Sequence, residues 1–344
     1  MARLKAGVIG CGGHSHRHLQ TYAEMPEMEL VAVADLNPER ARAAAEKFGA
    51  PHHYTDYREM LARHALDVVS LSLPPAVNRD AAVAALNGGA HVLVSKPMAR
   101  NLAEAKDMVA AAERAEKRLS VGLQNRLYPE SRALREFIAA GNLGRIYHSR
   151  LWHGHVMNIP DTPTMYKRSL AGGGVVFHTT VHLLDVILWI LGNPRPVRVS
   201  SASYQKVRRM KNPAGAFSGP VAECDVEDFN VGLVHFADGA TMTVESSWLM
   251  HPSARPNGAE LLGDLGVGSL RPLRIELEDG DRIVDATPEV RDAPPANYCQ
   301  DFCQNILQGR PPTVRVEEML NVQRVMDALY AAAETGREVN VNDV

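Results

Sequence analysis

The sequence is poor in cysteine, with four in 344 residues. So few cysteines exclude the disulfide framework that stabilises many small secreted domains, and they are typical of a protein from a reducing compartment. Cys299 and Cys303 stand four residues apart, but two thiols without a second pair favour ordinary packing over a zinc site. We therefore expect the cysteines to be small apolar or surface residues.

The chain also lacks an excess of either charge. It has 37 basic and 40 acidic residues, a net charge of −3 and no long basic run, which argues against a nucleic-acid or membrane-surface partner. The N-terminus enters the first predicted strand without an apolar segment of signal-peptide length, and the apolar run at 186–191 is too short to span a bilayer. We therefore expect a cytoplasmic protein.

What the chain has is the composition of a globular protein, with 45% hydrophobic and 22% charged residues. Its length favours two domains. There is no internal repeat and no low-complexity segment, and residues 208–220 have the composition of a mobile loop.

The most informative stretch is a glycine-rich turn after the first predicted strand. The sequence AGVIGCGGHSHRHL at 6–19 passes from an apolar run to a helix-compatible pattern. In a dinucleotide-binding turn, Gly10 allows the tight bend, Gly12 allows backbone to approach a pyrophosphate, and a small third residue, here Ser15, lets the helix pack on the strand. Asp35 ends the second predicted strand twenty residues after Ser15, where an acid that binds ribose is expected.

The first third of the chain alternates predicted strands and helices up to about residue 124. This pattern predicts an α/β fold, a Rossmann-type doubly wound parallel sheet, with ligands at the carboxyl ends of its strands. Later segments contain long alternating strands, with hairpin turns at Asp238-Gly239 and Asp279-Gly280, and a helix at 317–335. We therefore predict a C-terminal α+β domain with a large open, mainly antiparallel sheet.

The order of motifs resembles the Gfo/Idh/MocA family of inositol, sugar and polyol dehydrogenases. The similarity covers nearly the whole chain and rests on the following segments: GCGGHSHRH at 10–18, Asp35, LPPAVN at 73–78, VSKP at 94–97, GLQNRLYP at 122–129, GGGVVFHTTVHLLD at 172–185, VED at 226–228 and ELLGDLGVGSL at 260–270. The resemblance implies an NAD-binding Rossmann domain at 1–124 and a substrate and oligomerisation domain at 125–344.

The resemblance also implies that Lys96 and His182 form the catalytic pair. Oxidation of an alcohol moves a hydride to the coenzyme and a proton to a base, and histidine titrates in the range that suits such a base. Lys96 follows the fifth predicted strand, where its amine would stabilise the developing negative charge on the substrate oxygen.

Two positions depart from the family pattern. Ser95 stands where the family usually has a glutamate, and His178 stands where it usually has an aspartate one helical turn before the catalytic histidine. His178 therefore joins Lys96 and His182 as a catalytic candidate. The four histidines His153, His155, His178 and His182 leave open a metal site. The absence of a carboxylate partner favours hydrogen bonding to the substrate, and we predict no metal.

We predict NAD as the coenzyme, because the Asp35 carboxylate binds ribose hydroxyls and repels a 2′-phosphate, and neither Leu36 nor Asn37 offers a cation. NADP is the less favoured alternative. The predicted coenzyme-binding residues are Gly10, Gly12, Gly13, His14, Ser15, Asp35, Leu73, Pro74, Asn78, Ser95, Lys96 and Gln124. The predicted substrate-binding residues are Lys96, Arg126, His155, Tyr166, Arg168, His178 and His182, with Asn125 and Trp152 as further candidates.

The function predicted from these residues is NAD-dependent oxidation of a hydroxyl of a sugar, an inositol-like polyol or a sugar acid. Two alternatives stay open: a lyase or glycosidase that oxidises its substrate transiently, and a non-catalytic NAD-binding regulatory protein. A carbohydrate is the expected small-molecule partner, with no nucleic acid and no membrane. Because an open sheet usually covers its bare face with another subunit, we expect a homodimer or homotetramer through the C-terminal sheet.

Overall fold

A computed structural model describes residues 3–154, 162–206, 223–249, 257–291 and 296–344. By contacts, the chain divides into two units: unit 1 contains residues 1–123 and 297–317, and unit 2 contains residues 124–296 and 318–344. The first boundary lies one residue from the predicted one. Residues 297–317 pack with unit 1, although they were predicted within the C-terminal domain. The assignment of separate functions to the two parts stays a prediction.

Unit 1 is built on a six-stranded parallel sheet with strand order β3-β2-β1-β4-β5-β6. Its strands are β1 Leu4–Ile9, β2 Met28–Ala34, β3 His52–Tyr54, β4 Val68–Leu71, β5 His91–Val94 and β6 Leu119–Val121. The helices that accompany them are α1 His16–Glu24, α2 Pro38–Phe48, α3 Tyr57–Arg63, α4 Pro75–Asn87 and α5 Leu102–Arg114. This is the predicted doubly wound fold, and its strand order reverses between β1 and β4, where such folds bind ligands.

A later helix, α10 Tyr298–Leu307, completes the core of unit 1. Cys299, Phe302 and Cys303 lie in the same buried apolar cluster as Leu19 and Tyr22 of α1. Burial raises the pKa of the Cys303 thiol to about 12, so this cysteine is a protonated core residue rather than a reactive one. Local sequence had no signal for this return of the chain, because the contacts of α10 are with residues far away in sequence.

Unit 2 is built on a nine-stranded sheet with order β14-β13-β12-β11-β7-β10-β9-β8-β15. Its strands are β7 Ile146–Gly154, β8 Pro196–Tyr204, β9 Phe229–Phe236, β10 Thr241–Ser247, β11 Asn257–Gly263, β12 Gly266–Leu270, β13 Arg274–Asp279, β14 Arg282–Asp285 and β15 Val339–Asn340. Among these strands only β7 and β10 pair in parallel, so the prediction of a mainly antiparallel sheet is confirmed. Both predicted hairpin turns connect neighbouring strands, β9 with β10 and β13 with β14.

The helices of unit 2 are α6 Pro129–Ala139, α7 Pro163–Tyr166, α8 Arg168–Ala171, α9 Val181–Ile190 and α11 Val316–Thr335, the last beginning two residues earlier in unit 1. A π-helical turn, Val176–Thr180, leads into α9. The helical run 168–190 is long and apolar enough to cross a membrane, but 94% of its apolar window is buried inside the protein, as in the core helix of a folded domain. The predicted loop at 208–220 lies outside the described residues.

Candidate functional site

The glycine-rich turn after β1 has the backbone that its sequence predicts. Gly10 has φ +91°, and a Cβ there would lie 2.2 Å from the carbonyl oxygen of Ser72, so a side chain is excluded by conformation and by space. Ser15 is buried, and its hydroxyl donates to the Gly12 carbonyl at 2.6 Å. Serine therefore fits the position of the usual third glycine because its hydroxyl is satisfied within the turn.

Gly12 and Gly13 meet a different requirement. Among the described residues, no atom would lie within 4 Å of a Cβ at either position, so the packing of those residues does not require glycine there. The nine-residue helix α1 begins directly after the turn at His16, and free backbone N–H groups at such an end attract a pyrophosphate. Open space at two glycines and a helix N-terminus together fit a dinucleotide that approaches the backbone closely.

Asp35 is held in a fixed orientation at the end of β2. Its Oδ2 accepts a hydrogen bond from the Cys11 N–H at 2.8 Å, and its Oδ1 accepts one from the Asn37 N–H at 2.9 Å. Leu36 beside it is 91% exposed. The carboxylate is thus tied to the glycine turn, as a ribose-binding acid of a dinucleotide site requires.

Lys96 follows β5 at the same carboxyl edge of the sheet. Its side chain is half-buried, and loss of solvent lowers the pKa of its amine to about 8. The pKa of His14, in the glycine turn, is lowered first by burial and then by the charge of Lys96. The lysine therefore shares the electrostatic environment of the coenzyme turn.

The loops on either side of Lys96 are tightly held. The Ser95 N–H donates to the Leu71 carbonyl at 2.8 Å, and the Asn78 side-chain amide donates to the carbonyls of Pro97 and Met98 at 3.2 Å each. Asn78 is buried, which makes it a support for this loop, and a contact with the coenzyme stays a prediction. Of the other predicted coenzyme residues, Leu73 lines the Gly10 turn, Pro74 precedes α4, and Gln124 begins a short 3-10 helix in unit 2.

In unit 2, the triple glycine before the histidines is organised by Glu227. The buried Glu227 carboxylate accepts hydrogen bonds from the N–H groups of Gly174 and Val176 and from the Tyr330 hydroxyl, the last at 2.6 Å. A Cβ on Gly174 would lie 2.0 Å from the Glu227 carbonyl oxygen, and one on Gly173 would lie 2.1 Å from the Tyr330 hydroxyl. The glycines therefore make room for the residues that hold the turn, a role the local sequence did not reveal.

The next segment presents His178 and His182 from an irregular helix. His178 lies in the π-helical turn and His182 lies in the first turn of α9. The Trp248 indole donates to the Thr179 hydroxyl at 2.9 Å, and the Thr180 hydroxyl donates to Ser246 at 2.5 Å, so the turn is fastened to the sheet. Such π-helical turns often occur at functional sites.

Strand register separates two of the residues predicted near these histidines. His153 pairs with Ser246 and lies on the inner face of the sheet, to which the π-helical turn is fastened. Trp152 is the adjacent residue of the strand and therefore faces the opposite side, opposite Gly258 and Glu245. Trp152 and His153 therefore lie on opposite faces of the sheet, and a substrate contact of Trp152 stays a prediction. His155 lies outside the described residues. Within the described residues there is no group of three or more His, Cys, Asp or Glu side chains that could hold a metal.

Arg126 forms a buried ion pair inside unit 2. Its guanidinium is 1% exposed and pairs with both carboxylate oxygens of Asp185, at 3.1 Å from Nε, and with Glu318. The neighbouring Asn125 amide donates to the His182 carbonyl at 2.8 Å. These two residues, predicted to bind substrate, thus support the helix that carries His182, and a substrate contact of either residue stays a prediction.

Tyr166 and Arg168 lie in a region with a cavity of about 820 Å³ in unit 2. Arg168 lines it together with Glu227 and Tyr330, while Tyr166 is 2% exposed. The Arg168 guanidinium pairs with Glu334 and lies over the Tyr330 ring. Its charge is therefore already balanced, and a substrate contact of either residue stays a prediction.

Comparison with known proteins covers the chain in two parts. Residues 4–123 match the oxidoreductase family with an NAD-binding Rossmann fold, Gfo/Idh/MocA, and residues 131–268 match the GFO/IDH/MocA C-terminal domain. D-glucoside 3-dehydrogenase of Escherichia coli (strain K12) is 28% identical over 98% of this chain and 97% of that protein. D-apiose dehydrogenase of Paraburkholderia graminis is 25% identical over 99% and 91%. A solved oxidoreductase domain protein from Kribbella flavida has TM-score 0.83 and 24% identity, covering 99% of this chain and all of that one.

Proposed function

Because the chain belongs to the Gfo/Idh/MocA family of NAD-binding oxidoreductases, we propose that it oxidises a secondary hydroxyl of a sugar or of a related polyol or sugar acid. The observation that carries this proposal is the half-buried Lys96, with its lowered pKa, at the edge of the sheet that bears the coenzyme turn. The relative D-glucoside 3-dehydrogenase supports a D-glucoside as the first substrate to try.

The residues of unit 1 would bind and orient the coenzyme. The N–H groups at Gly12 and Gly13 would bind the pyrophosphate, and the Asp35 carboxylate would accept hydrogen bonds from the ribose. When bound, NAD supplies a hydride acceptor for the carbon that bears the reacting hydroxyl. The Rossmann family match and the geometry of the turn both support NAD as the coenzyme.

In the proposed reaction, Lys96 and His182 act on the substrate oxygen. The protonated Lys96 amine donates a hydrogen bond to that oxygen and stabilises its developing negative charge, while the neutral His182 imidazole accepts the hydroxyl proton. His178 hydrogen-bonds the substrate from the same segment. The support for this division of roles is the family resemblance together with the way Glu227, Thr179 and Thr180 fix the turn before His182.

The test is a panel of D-glucosides, free aldoses and inositols assayed for NADH formation. Lys96→Ala and His182→Ala should each lower turnover by about two to four orders of magnitude, as expected for a lost electrostatic or acid–base group, with NAD still bound. Because the pKa of Lys96 is about 8, activity that needs its cationic form should decline as pH rises through that value. Full activity in either alanine variant would remove that residue from the mechanism.

A second candidate function is suggested by Ser95 and His178, the two departures from the family pattern. A lyase or glycosidase that oxidises its substrate transiently and then returns the hydride would consume a glycoside without accumulating NADH. Chromatography of the products beside the absorbance assay distinguishes the two functions, since a dehydrogenase forms one NADH for each substrate consumed.

A further inference from the structure

A buried chain of polar side chains in unit 1 ends next to Lys96. His18 of α1 is fully buried, and its Nδ1 lies 2.9 Å from the Ser70 hydroxyl, which also bonds the Tyr22 hydroxyl. The other ring nitrogen, Nε2, lies 3.2 Å from the Ser95 hydroxyl and 3.2 Å from the Tyr298 hydroxyl. His18 therefore connects α1, strand β4, the segment after β5 and α10 through one imidazole.

The hydrogen-bonding partners of this imidazole suit a neutral ring. Burial lowers the pKa of His18 to about 3, so the ring is neutral and one nitrogen donates while the other accepts. If Nδ1 carries the proton, it donates to Ser70, and Ser95 and Tyr298 share the lone pair of Nε2; if Nε2 carries it, they share its N–H and Nδ1 accepts from Ser70. Because a hydroxyl can both donate and accept, Ser95 can bond the ring in either tautomer.

This bond fixes the residue directly before Lys96. The backbone of Ser95 is held by Leu71, and the two residues after the lysine are held by Asn78. Lys96 is thus the residue between two anchored points, with the Ser95 hydroxyl as the side-chain anchor on its N-terminal side. A carboxylate at position 95 would bring a charge against a neutral, buried ring, which costs free energy unless it is paired, whereas serine supplies a neutral hydroxyl.

We propose that His18 is a positioning residue for Lys96 and acts through the Ser95 hydroxyl, with Ser70, Tyr22 and Tyr298 fixing the ring. This proposal rests on the proposed function of Lys96. It gives Ser95, the first departure from the family pattern, a specific role. The Ser95 hydroxyl bonds a neutral, buried histidine that lies 77 residues earlier in the sequence.

The most direct test measures Lys96 itself and needs no substrate. Competitive acetylation across a pH series, followed by peptide mass spectrometry, gives the pKa of Lys96, with the other lysines of the same sample as an internal reference. In Ser95→Ala and His18→Leu, a Lys96 that moves toward solvent should titrate at higher pH than in the unmodified protein. His18→Gln offers an amide oxygen to Ser95 and should restore part of the original titration.

Activity with the best sugar of the panel is the second measurement. Ser95→Ala should lower kcat by about tenfold, since displacement of a catalytic group by around 1 Å has effects of this order or larger, while NADH affinity measured by fluorescence stays within roughly twofold. The double variant Ser95→Ala/His18→Gln should be no worse than the poorer single variant, because both remove the same interaction. His64→Gln, which removes a histidine bonded to Tyr54 elsewhere in unit 1, is the matched control and should change neither quantity.

The outcomes separate the possible failures. An unchanged Lys96 titration and kcat in Ser95→Ala, with only a lower unfolding temperature, would make the polar chain purely structural and overturn the proposal. A loss of NADH affinity that accounts for the whole effect would make Ser95 a coenzyme contact instead. Full activity in Lys96→Ala would remove Lys96 from the mechanism, so the proposed role of Lys96 would have failed, whatever Ser95 and His18 do.

Discussion

At the residue scale, we expect Asp35 to set the choice of coenzyme through its charge. Its two oxygens already accept backbone hydrogen bonds from Cys11 and Asn37, so the carboxylate is oriented before the ribose arrives and little ordering is needed on binding. A fixed negative charge at this position opposes a 2′-phosphate and favours NAD.

We predict that Asp35→Asn narrows the difference in affinity between NAD and NADP. The substitution keeps the shape and one acceptor oxygen but removes the charge, so NAD should bind about tenfold more weakly, while NADP is no longer repelled. Calorimetric titration of both coenzymes against both proteins measures this. Equal affinities for NAD and NADP in the unmodified protein would contradict the assignment.

His178 is the second departure from the family pattern, and its effect is expected in the pH profile. A carboxylate at this position would favour the protonated form of His182, so in His178→Asp the loss of activity on acidification should move to higher pH, with some turnover retained. If the histidines instead held a metal, activity would vanish with a chelator and return with a divalent ion. Chelator-insensitive activity with an unshifted profile would leave His178 as a substrate contact only.

At the element scale, the turn between α8 and α9 shows how a buried acid shapes a site. Burial raises the pKa of Glu227, while its bonds to Tyr330 and to the backbone of the turn oppose that shift. Three donors converge on this one side chain. The geometry of the π-helical turn that carries His178 thus depends on a residue some fifty positions later in sequence.

We predict that Gly174→Ala destabilises the protein by about 1–3 kcal/mol, because the added methyl group meets the Glu227 carbonyl, which is backbone and cannot easily move away. Thermal or denaturant unfolding measures the loss. Gly13→Ala is the matched control, since its methyl group would meet no atom of the described part of the chain within 4 Å. It should leave stability unchanged and weaken NAD binding instead. Equal stability of the two variants would show that the turn adapts to a side chain.

At the scale of the whole molecule, the outer face of the nine-stranded sheet is the surface proposed for self-association. Val231 on β9 is 39% exposed and pairs in register with Ala202 and with Glu245, so it lies within the sheet rather than at its edge. Tyr204 on the same face is 57% exposed. A broad sheet face with exposed apolar side chains is typical of a surface that another subunit covers.

Val231→Glu should therefore dissociate the oligomer, because it adds a negative charge beside Glu245 in a surface that would be buried. Sedimentation velocity across a concentration series measures the mass of the species present. Val77→Glu, at an exposed valine of α4 in unit 1, is the control and should leave the mass unchanged. A monomeric unmodified protein, or an oligomer that survives Val231→Glu, would contradict association through this face.

Local sequence determined the parts of this protein whose physics is local. The bend at Gly10 needs a residue that tolerates positive φ, and the alternation of strands with helices leaves few topologies other than a doubly wound sheet. Helix α2 begins at Pro38 and is followed by Gly49, and strand β5 is a short apolar run, so local residues mark both elements. The coenzyme turn and its carboxylate were predictable for the same reason.

Whether a polar residue supports the site from within the fold depends on tertiary contacts that local sequence does not specify. Arg126 is a buried partner of Asp185, which lies 59 residues away in sequence. The register of β7 places Trp152 on the face of the sheet opposite His153, and no local sequence pattern predicts that register. Glu227 and His18 were not predicted as supports because each reaches its partners across more than fifty residues. Such contacts depend on how distant segments pack, since a buried polar group must find a partner wherever the fold brings one.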